Sequence, residues 1–426
     1  MKNKSIFKLG NISSKRNHVF NIVILFILSV SSNLVSAQDI LNSYLITAAK
    51  NNPALKAKFS EYHASLEKVP QVGTLPDPIF TFGYFISPVE TKNGPQQAKF
   101  SFTQMFPWFG TLNSKEDVLV NAAKVKYEAF EEAKSNLFFE VKSSYYNLYF
   151  IKKGIEITLD NIRILETFKR LAFIKIEAGS ASGVDGLRAE MDLADLENNL
   201  ALLKDKWLVN TVKFNKLLNI ERDSEIEIPE TLWHNDLEYS YQAVIDSLNK
   251  NNHQLKSLDY LQQSFKSSEL MAKKLGTPNI ILGADYTAIG NVGTSPDAGK
   301  DAFMIKVGIT LPIYRKKYSA MINEAIYQQE AITHKRADKT NVLETLFEKV
   351  YSEYHDAQRR MVLFEKQSNL ASRAIKLLES EYASNGRNFE EILRMERNLL
   401  KYSLELEKAR ADKQAAIGFI EYLMGN

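Results

Sequence analysis

The side chains of this chain best suited to chemistry are its histidines and carboxylates. Past residue 37 there are five histidines, His63, His234, His253, His334 and His355. Imidazoles bind zinc or move protons when a second histidine or a carboxylate stands one helical turn away, as in His-Glu-x-x-His or Glu-x-x-His. Neither spacing occurs. Glu330 and His334 do lie one turn apart, but a single i,i+4 pair on a charged helix reads as an exposed surface pair. The sequence has no glycine-rich phosphate loop and no Gly-x-Ser-x-Gly elbow. No enzyme chemistry, cofactor or metal site is therefore expected.

The carboxylates that do stand out follow turns. Asp185 lies at the end of EAGSASGVDG (Glu177 to Gly186) and Glu190 just past it, and Glu390 and Glu391 follow YASNGRN (Tyr382 to Asn388). Asp185 and Glu390 stand where an acidic residue caps a helix and offsets its dipole.

These turns join unusually long helical segments. From Ile313 to Ser384 the sequence runs 72 residues without glycine or proline, and from Leu112 to Ala178 only Gly154 interrupts. A helix of about 65 residues reaches roughly 100 Å, too long to bury itself in one globular core. Apolar residues recur at coiled-coil intervals, Ala133, Leu137, Val141, Tyr145 and Leu148, then Leu187, Leu193, Leu196, Leu200 and Leu203. The spacing predicts two long antiparallel helical hairpins.

The chain is also written twice. LNSYLITAAKNNPALKA (Leu41 to Ala57) aligns with YQAVIDSLNKNNHQLKS (Tyr241 to Ser257). IFTFGYF (Ile79 to Phe85) aligns with IILGADY (Ile280 to Tyr286), and AKFSFTQMFP (Ala98 to Pro107) with FMIKVGITLP (Phe303 to Pro312). The unit is short helices, two strands and a helical hairpin. Its two copies span 38–222 (strands about 79–86 and 98–106, hairpin about 112–219) and 223–426 (strands about 279–287 and 302–311, hairpin about 315–424).

Each strand alternates. Phe80, Phe82 and Tyr84, then Phe100 and Phe102, then Ile305 and Val307 fall on one side, with small or polar residues such as Thr81, Gly83, Ser101 and Thr103 on the other. This is the pattern of a transmembrane β-barrel, although a soluble sheet with one wet face gives it too. Two roughly 100 Å hairpins offer four strands no soluble core, which favours the membrane. Gln104, matching Ile309, falls on the apolar side or at its edge. SPVETKNGPQQ (Ser87 to Gln97) and AIGNVGTSPDAGKD (Ala288 to Asp301) read as polar loops at an outer mouth. Pro107 and Pro312 then mark elbows from strand to helix, with Trp108 at the lipid boundary. Four strands cannot close a barrel, so the barrel is expected to be shared between copies.

The N-terminus fits export. Five basic residues precede the apolar run VFNIVILFILSV and the small residues before Ala37, the pattern of a secretory signal peptide over residues 1–37. Removing it changes the formal charge from +3 to −2, so no basic patch argues for nucleic acid. There is no cysteine for a disulfide or a lipid anchor.

Several features together resemble the TolC-type outer-membrane efflux channel family over the whole chain after Ala37. They are the duplicated unit, Asn51-Asn52-Pro53-Ala54-Leu55, LPDP (Leu75 to Pro78), QMFPWFG (Gln104 to Gly110) and AGSASGVDGLRAE (Ala178 to Glu190). The form of LPDP and QMFPWFG is similar to the heavy-metal efflux branch. The resemblance implies a mainly α fold with a small transmembrane β part. It further implies a homotrimer with a shared twelve-stranded β-barrel and an α-barrel tunnel, placed in the outer membrane and meeting a periplasmic adaptor and an inner-membrane pump. Asp185, Glu190, Glu390 and Glu391 would then ring the narrow periplasmic tip and favour cations. Gly179, Gly183 and Leu187 would contact the adaptor, although core packing accounts for Leu187 equally well. A periplasmic coiled-coil adaptor or a secreted structural protein is the alternative on the helices alone.

Overall fold

The computed structural model describes residues 37–426 other than 234, 293, 295, 386 and 387. The expected signal peptide, up to the residue before Ala37, and His234 lie outside the described residues. In chain order the elements are α1 (Ala37–Asn51), α2 (Pro53–Leu66), α3 (Lys68–Gly73), β1 (Ile79–Thr91), β2 (Gly94–Phe106), α4 (Thr111–Glu177) and α5 (Gly183–Leu218). The second half holds α6 (Tyr241–Asn251), α7 (His253–Leu275), β3 (Ile280–Ile289), β4 (Ala302–Ile309), α8 (Arg315–Asn385) and α9 (Phe389–Leu423). The 67 residues of α4 and the 71 of α8 make rods of roughly 100 Å. Among the described residues no helix is long and apolar enough to cross a membrane.

The duplication extends to single side chains. Asn52 caps α2 by accepting from the Leu55 amide, and its own amide donates to the Leu217 carbonyl at 3.0 Å. Asn252 caps α7 by accepting from the Gln254 and Leu255 amides, and donates to the Leu423 carbonyl at the same 3.0 Å. Each asparagine thus starts one helix and satisfies the orphan carbonyls of another, the returning arm of its own half. Pro53 follows at the first helical position, where its missing N–H costs nothing. The return helices end in left-handed residues, Asn219 and Gly425. A Cβ on Gly425 would stand 2.5 Å from the Asn251 carbonyl oxygen, so only glycine fits there.

Three apolar clusters hold the rods. Tyr145, Tyr149 and Phe214 anchor the first, which also receives Ile226, Ile228 and Leu232 from the connection between the halves. That connection is tied down by Lys152 Nζ, which donates to the Ile228 carbonyl at 2.9 Å, and by Lys413 on α9, paired with Asp236 at 2.5 Å. Val244, Leu248, Phe347 and Ile420 anchor the second cluster. The third lies at the far end of the hairpins, around Phe168, Tyr382, Phe389 and Ile392. Gly154 lets the rods approach closely, because a Cβ there would already touch Leu203 and Leu404 methyls at 3.4–3.8 Å.

The strands form one antiparallel sheet in the order β1-β2-β3-β4, whose two outer strands each keep one edge unpaired. Two sequence expectations change here. The segment from Ser87 to Gln97 is mostly strand rather than loop: β1 and β2 run on to a tight turn at Lys92-Asn93, with a bulge between Tyr84 and Val89. Pro88 falls in that bulge, where a missing N–H is tolerated. The alignment of Ile79 with Ile280 is one residue out. Phe80 faces Phe102 and Leu282 faces Val307, so Phe80 corresponds to Leu282. A one-residue slip exchanges the two faces of a strand.

Candidate functional site

Two surfaces hold the sequence-predicted residues: the sheet and the hairpin ends. On the sheet, cross-strand pairing collects Phe80, Phe82, Phe100, Phe102, Leu282, Tyr286, Ile305 and Val307 on one side. These side chains are exposed, and Phe82, Phe100 and Tyr286 run ring to ring at 5.1 and 6.2 Å. Such a continuous apolar aromatic face exceeds the scattered single residues a water-exposed surface carries. Gln104 shares this side, opposite Leu282, and satisfies its amide by donating to the Pro76 and Met105 carbonyls at 2.8 and 2.9 Å. LPDP therefore packs against the strand end that precedes Pro107.

The other side carries Thr81, Gly83, Ser101, Thr103, Gly283 and Gly308. It also holds a group that the residue types alone did not single out. The Asp285 carboxylate receives Lys99 Nζ at 2.9 Å and Lys306 Nζ at 2.7 Å, from the strands on either side. Only the sheet register brings these three together.

At the elbows, Trp108 stacks edge-on against the exposed Phe109. Gly110 takes a left-handed φ of 80°, and the Thr111 amide donates to the Trp108 carbonyl at 3.0 Å. The chain thus turns from strand into α4 within four residues of Pro107. In the second half Leu311, Ile313 and Tyr314 flank Pro312 and are likewise exposed.

At the hairpin ends the four acidic candidates are all paired. Asp185 lies 3.7 Å from Arg188, Arg188 lies 3.2 Å from Glu390, and Glu390 lies 3.1 Å from Arg397. Arg397 also grips both oxygens of Asp192 at 2.8 and 3.0 Å. Glu190 pairs with Lys169 at 2.8 Å, and Glu391 with Arg394. The arrangement couples α5 to α9 through two arginines, Arg188 and Arg397, that a scan for acidic residues passes over. It also leaves much of the acidic charge neutralised within the chain.

Above these pairs sits a cavity of about 200 Å³ lined by α4, α5 and α9. Glu396 is buried in its wall, where Asn161 Nδ2 donates to it at 3.4 Å. Burial pushes its carboxyl up to about 7, the Glu379 carboxylate adds to the rise, and the Asn161 hydrogen bond opposes it.

Leu187 is 61 % exposed and does not pack in the core. With Val184 and Met191 it forms an exposed apolar stripe on the first turns of α5. Gly179 has a left-handed φ of 68°, and around both Gly179 and Gly183 the space is open. The remaining described histidines do not cluster: His253 Nδ1 meets Glu128 at 2.7 Å, His355 meets Gln358, His63 stacks on Phe59, and His334 and Glu330 are exposed. Among the described residues no group of three or more histidine or carboxylate side chains is placed to hold a metal ion.

No protein-family model matches the sequence, and no curated protein matches it. Solved structures do. The chain is similar to the outer membrane protein VceC of Vibrio cholerae with a TM-score of 0.73 and 14% identity, over 92% of this chain and 99% of that one. To CusC the TM-score is 0.76 at 13% identity, covering 90% and 92%. To the open state of the MtrE outer membrane channel of Neisseria gonorrhoeae it is 0.72 at 14% identity, covering 91% and 89%. The fold is therefore that of the TolC-like outer-membrane channels.

Proposed function

We propose that this chain is the outer-membrane channel of a tripartite efflux system, a passive exit duct from periplasm to exterior. The observation that carries the reading is a sheet with an exposed aromatic face and two unpaired edges, mounted on roughly 100 Å hairpins. In lipid every strand edge must be paired, and four strands cannot pair their own. Three copies close a twelve-stranded barrel. Its lipid side is formed by Phe80, Phe82, Phe100, Phe102, Ile305 and Val307, and its elbows at Pro107, Trp108 and Pro312 lie at the periplasmic boundary of the outer membrane. The helices continue the duct into the periplasm, each copy contributing the two repeats 38–222 and 223–426.

An inner-membrane pump and a periplasmic adaptor supply energy and substrate, so no reaction is asked of this chain. The stripe Val184, Leu187 and Met191, beside Gly179 and Gly183, is the adaptor contact: small residues let a partner approach, and the exposed apolar side chains give it something to bury. Asp185, Glu190, Glu390 and Glu391 line the tip, and the Arg188–Glu390 and Arg397–Asp192 pairs hold α5 against α9 while it is shut. Neutralising Glu390 and Glu391 together is expected to alter ion selectivity, read as a changed reversal potential. Similarity to the heavy-metal branch rests on LPDP and QMFPWFG, so substrate class follows the partner pump.

The deciding experiment is fractionation of the expressed protein, followed by gels with and without boiling and by bilayer recording. A heat-modifiable oligomer in the outer membrane that conducts ions is the expected outcome. A monomer in the soluble periplasmic fraction would sink the proposal and favour an adaptor or structural protein.

A further inference from the structure

We infer that Lys99, Asp285 and Lys306 form a cation-presenting ring inside the barrel that favours passage of anionic solutes. This rests on the channel reading, which places the side of the sheet opposite the aromatic face in the lumen.

Lys99 and Lys306 stand directly opposite Gly83 and Gly283 in the ladder. A Cβ on Gly283 would come within 2.6 Å of Lys306 Cε and 3.0 Å of its Cγ, so the lysine stem lies across the bare backbone to reach Asp285. Ser101 stands opposite Asp285 in the register. The acid is covered: its side chain is 4% exposed, whereas those of Lys99 and Lys306 are 42% and 38% exposed. Along the regularly paired stretches, 79–84, 98–106, 280–289 and 302–309, these are the only charged side chains. One lysine would satisfy the carboxylate. The second leaves each copy with a net positive charge facing water.

Three copies place three such groups around the lumen. Twelve strands about 4.8 Å apart and tilted about 40° close at a radius of roughly 12 Å. The ammonium groups project inward from that wall, so the axis lies within about one Debye length, ~10 Å at 0.1 M salt. A fixed ring of this kind enriches anions and repels cations.

The test is the reversal potential of the purified full-length channel in a planar bilayer under a tenfold KCl gradient. The double variant Lys99→Gln/Lys306→Gln is expected to lower the chloride-to-potassium permeability ratio about threefold or more, and Asp285→Asn to raise it. Opposite signs separate charge from damage, since loosening the strand register would move both variants the same way. Lys99→Arg/Lys306→Arg should keep the wild-type value, and it decides the matter with Asp285→Asn if the glutamine pair fails to assemble. Conducting channels whose reversal potentials do not move, or move in the same direction, overturn the inference. A wild-type protein that assembles and never conducts overturns the channel reading instead.

Discussion

The two hairpin ends are built on the same repeat and expose opposite things. The first, around Gly179 to Met191, turns its apolar side chains outward, with Val184, Leu187 and Met191 all in solvent. The second turns them inward: Phe389, Ile392 and Leu393 are buried, Phe389 stacks on Tyr382 at 5.0 Å, and the charged residues lie outside. The two repeats supply levers of similar length, one ending in exposed apolar side chains and the other in a packed aromatic cluster. On the proposed function the difference would separate attachment from closure: the exposed apolar side chains are on α5, while the buried aromatic pair of the second end comes from α8 and α9.

Four substitutions test that division. Phe389→Ala should have the largest effect, removing an aromatic ring 2% exposed and costing about 3–5 kcal/mol. Amide exchange over residues 378–400 should accelerate strongly, and unchanged protection there would show that the second end is not held by its apolar cluster. Glu396→Gln comes next and is pH-dependent. Its folded carboxyl titrates near 7 against an ordinary 4.5. The folded state therefore keeps a proton that the unfolded state loses, and stability falls as pH rises from about 4.5 to 7, by at most ~3 kcal/mol. Wild-type thermal stability should drop from pH 5 to pH 8 while the glutamine variant stays flat; two parallel curves would refute the assignment.

Arg397→Ala frees Asp192 and leaves Glu390 with Arg188 alone. Half-exposed pairs are screened, so the loss in stability should be up to about 1 kcal/mol. Its clearer signature is more frequent or larger openings in single-channel recordings, and unaltered gating would remove the arginine from the closing contacts. Leu187→Ser should be the mildest for the fold, within about 0.5 kcal/mol. If it destabilised the channel as much as Phe389→Ala does, the contrast between the two ends would collapse. Its effect is expected in crosslinking to the adaptor proposed above as partner.

Periodicity carried most of the architecture. Alternation located all four strands and their faces, and the absence of breakers located the rods. Pro88, Gly94 and Pro95 masked the outer third of the first β-hairpin, because a bulge admits residues that read as loop. The lysine-aspartate group was invisible because Lys99 and Asp285 lie 186 residues apart and meet only through strand register. Separations of 202 and 205 residues likewise hid Arg188 with Glu390 and Arg397 with Asp192. Leu187 stands in the leucine series of the helical seam and is also the expected partner contact; it precedes Leu193 by six residues, a step that breaks the heptad and swings it outward. The Lys-Asn-Asn repeat was plain to see, while its reason, one asparagine serving two helix ends, needed the fold.

Gly154 has a mechanical consequence. It is the place where α4 is pinched between Leu203 and Leu404, and 23 residues, about 35 Å, separate it from the end of the rod at Glu177. A rod rocked about that contact would work as a lever. A rocking of about 8° about it would carry the Glu177 end roughly 5 Å, near the pitch of one helical turn, enough to change which residues meet below.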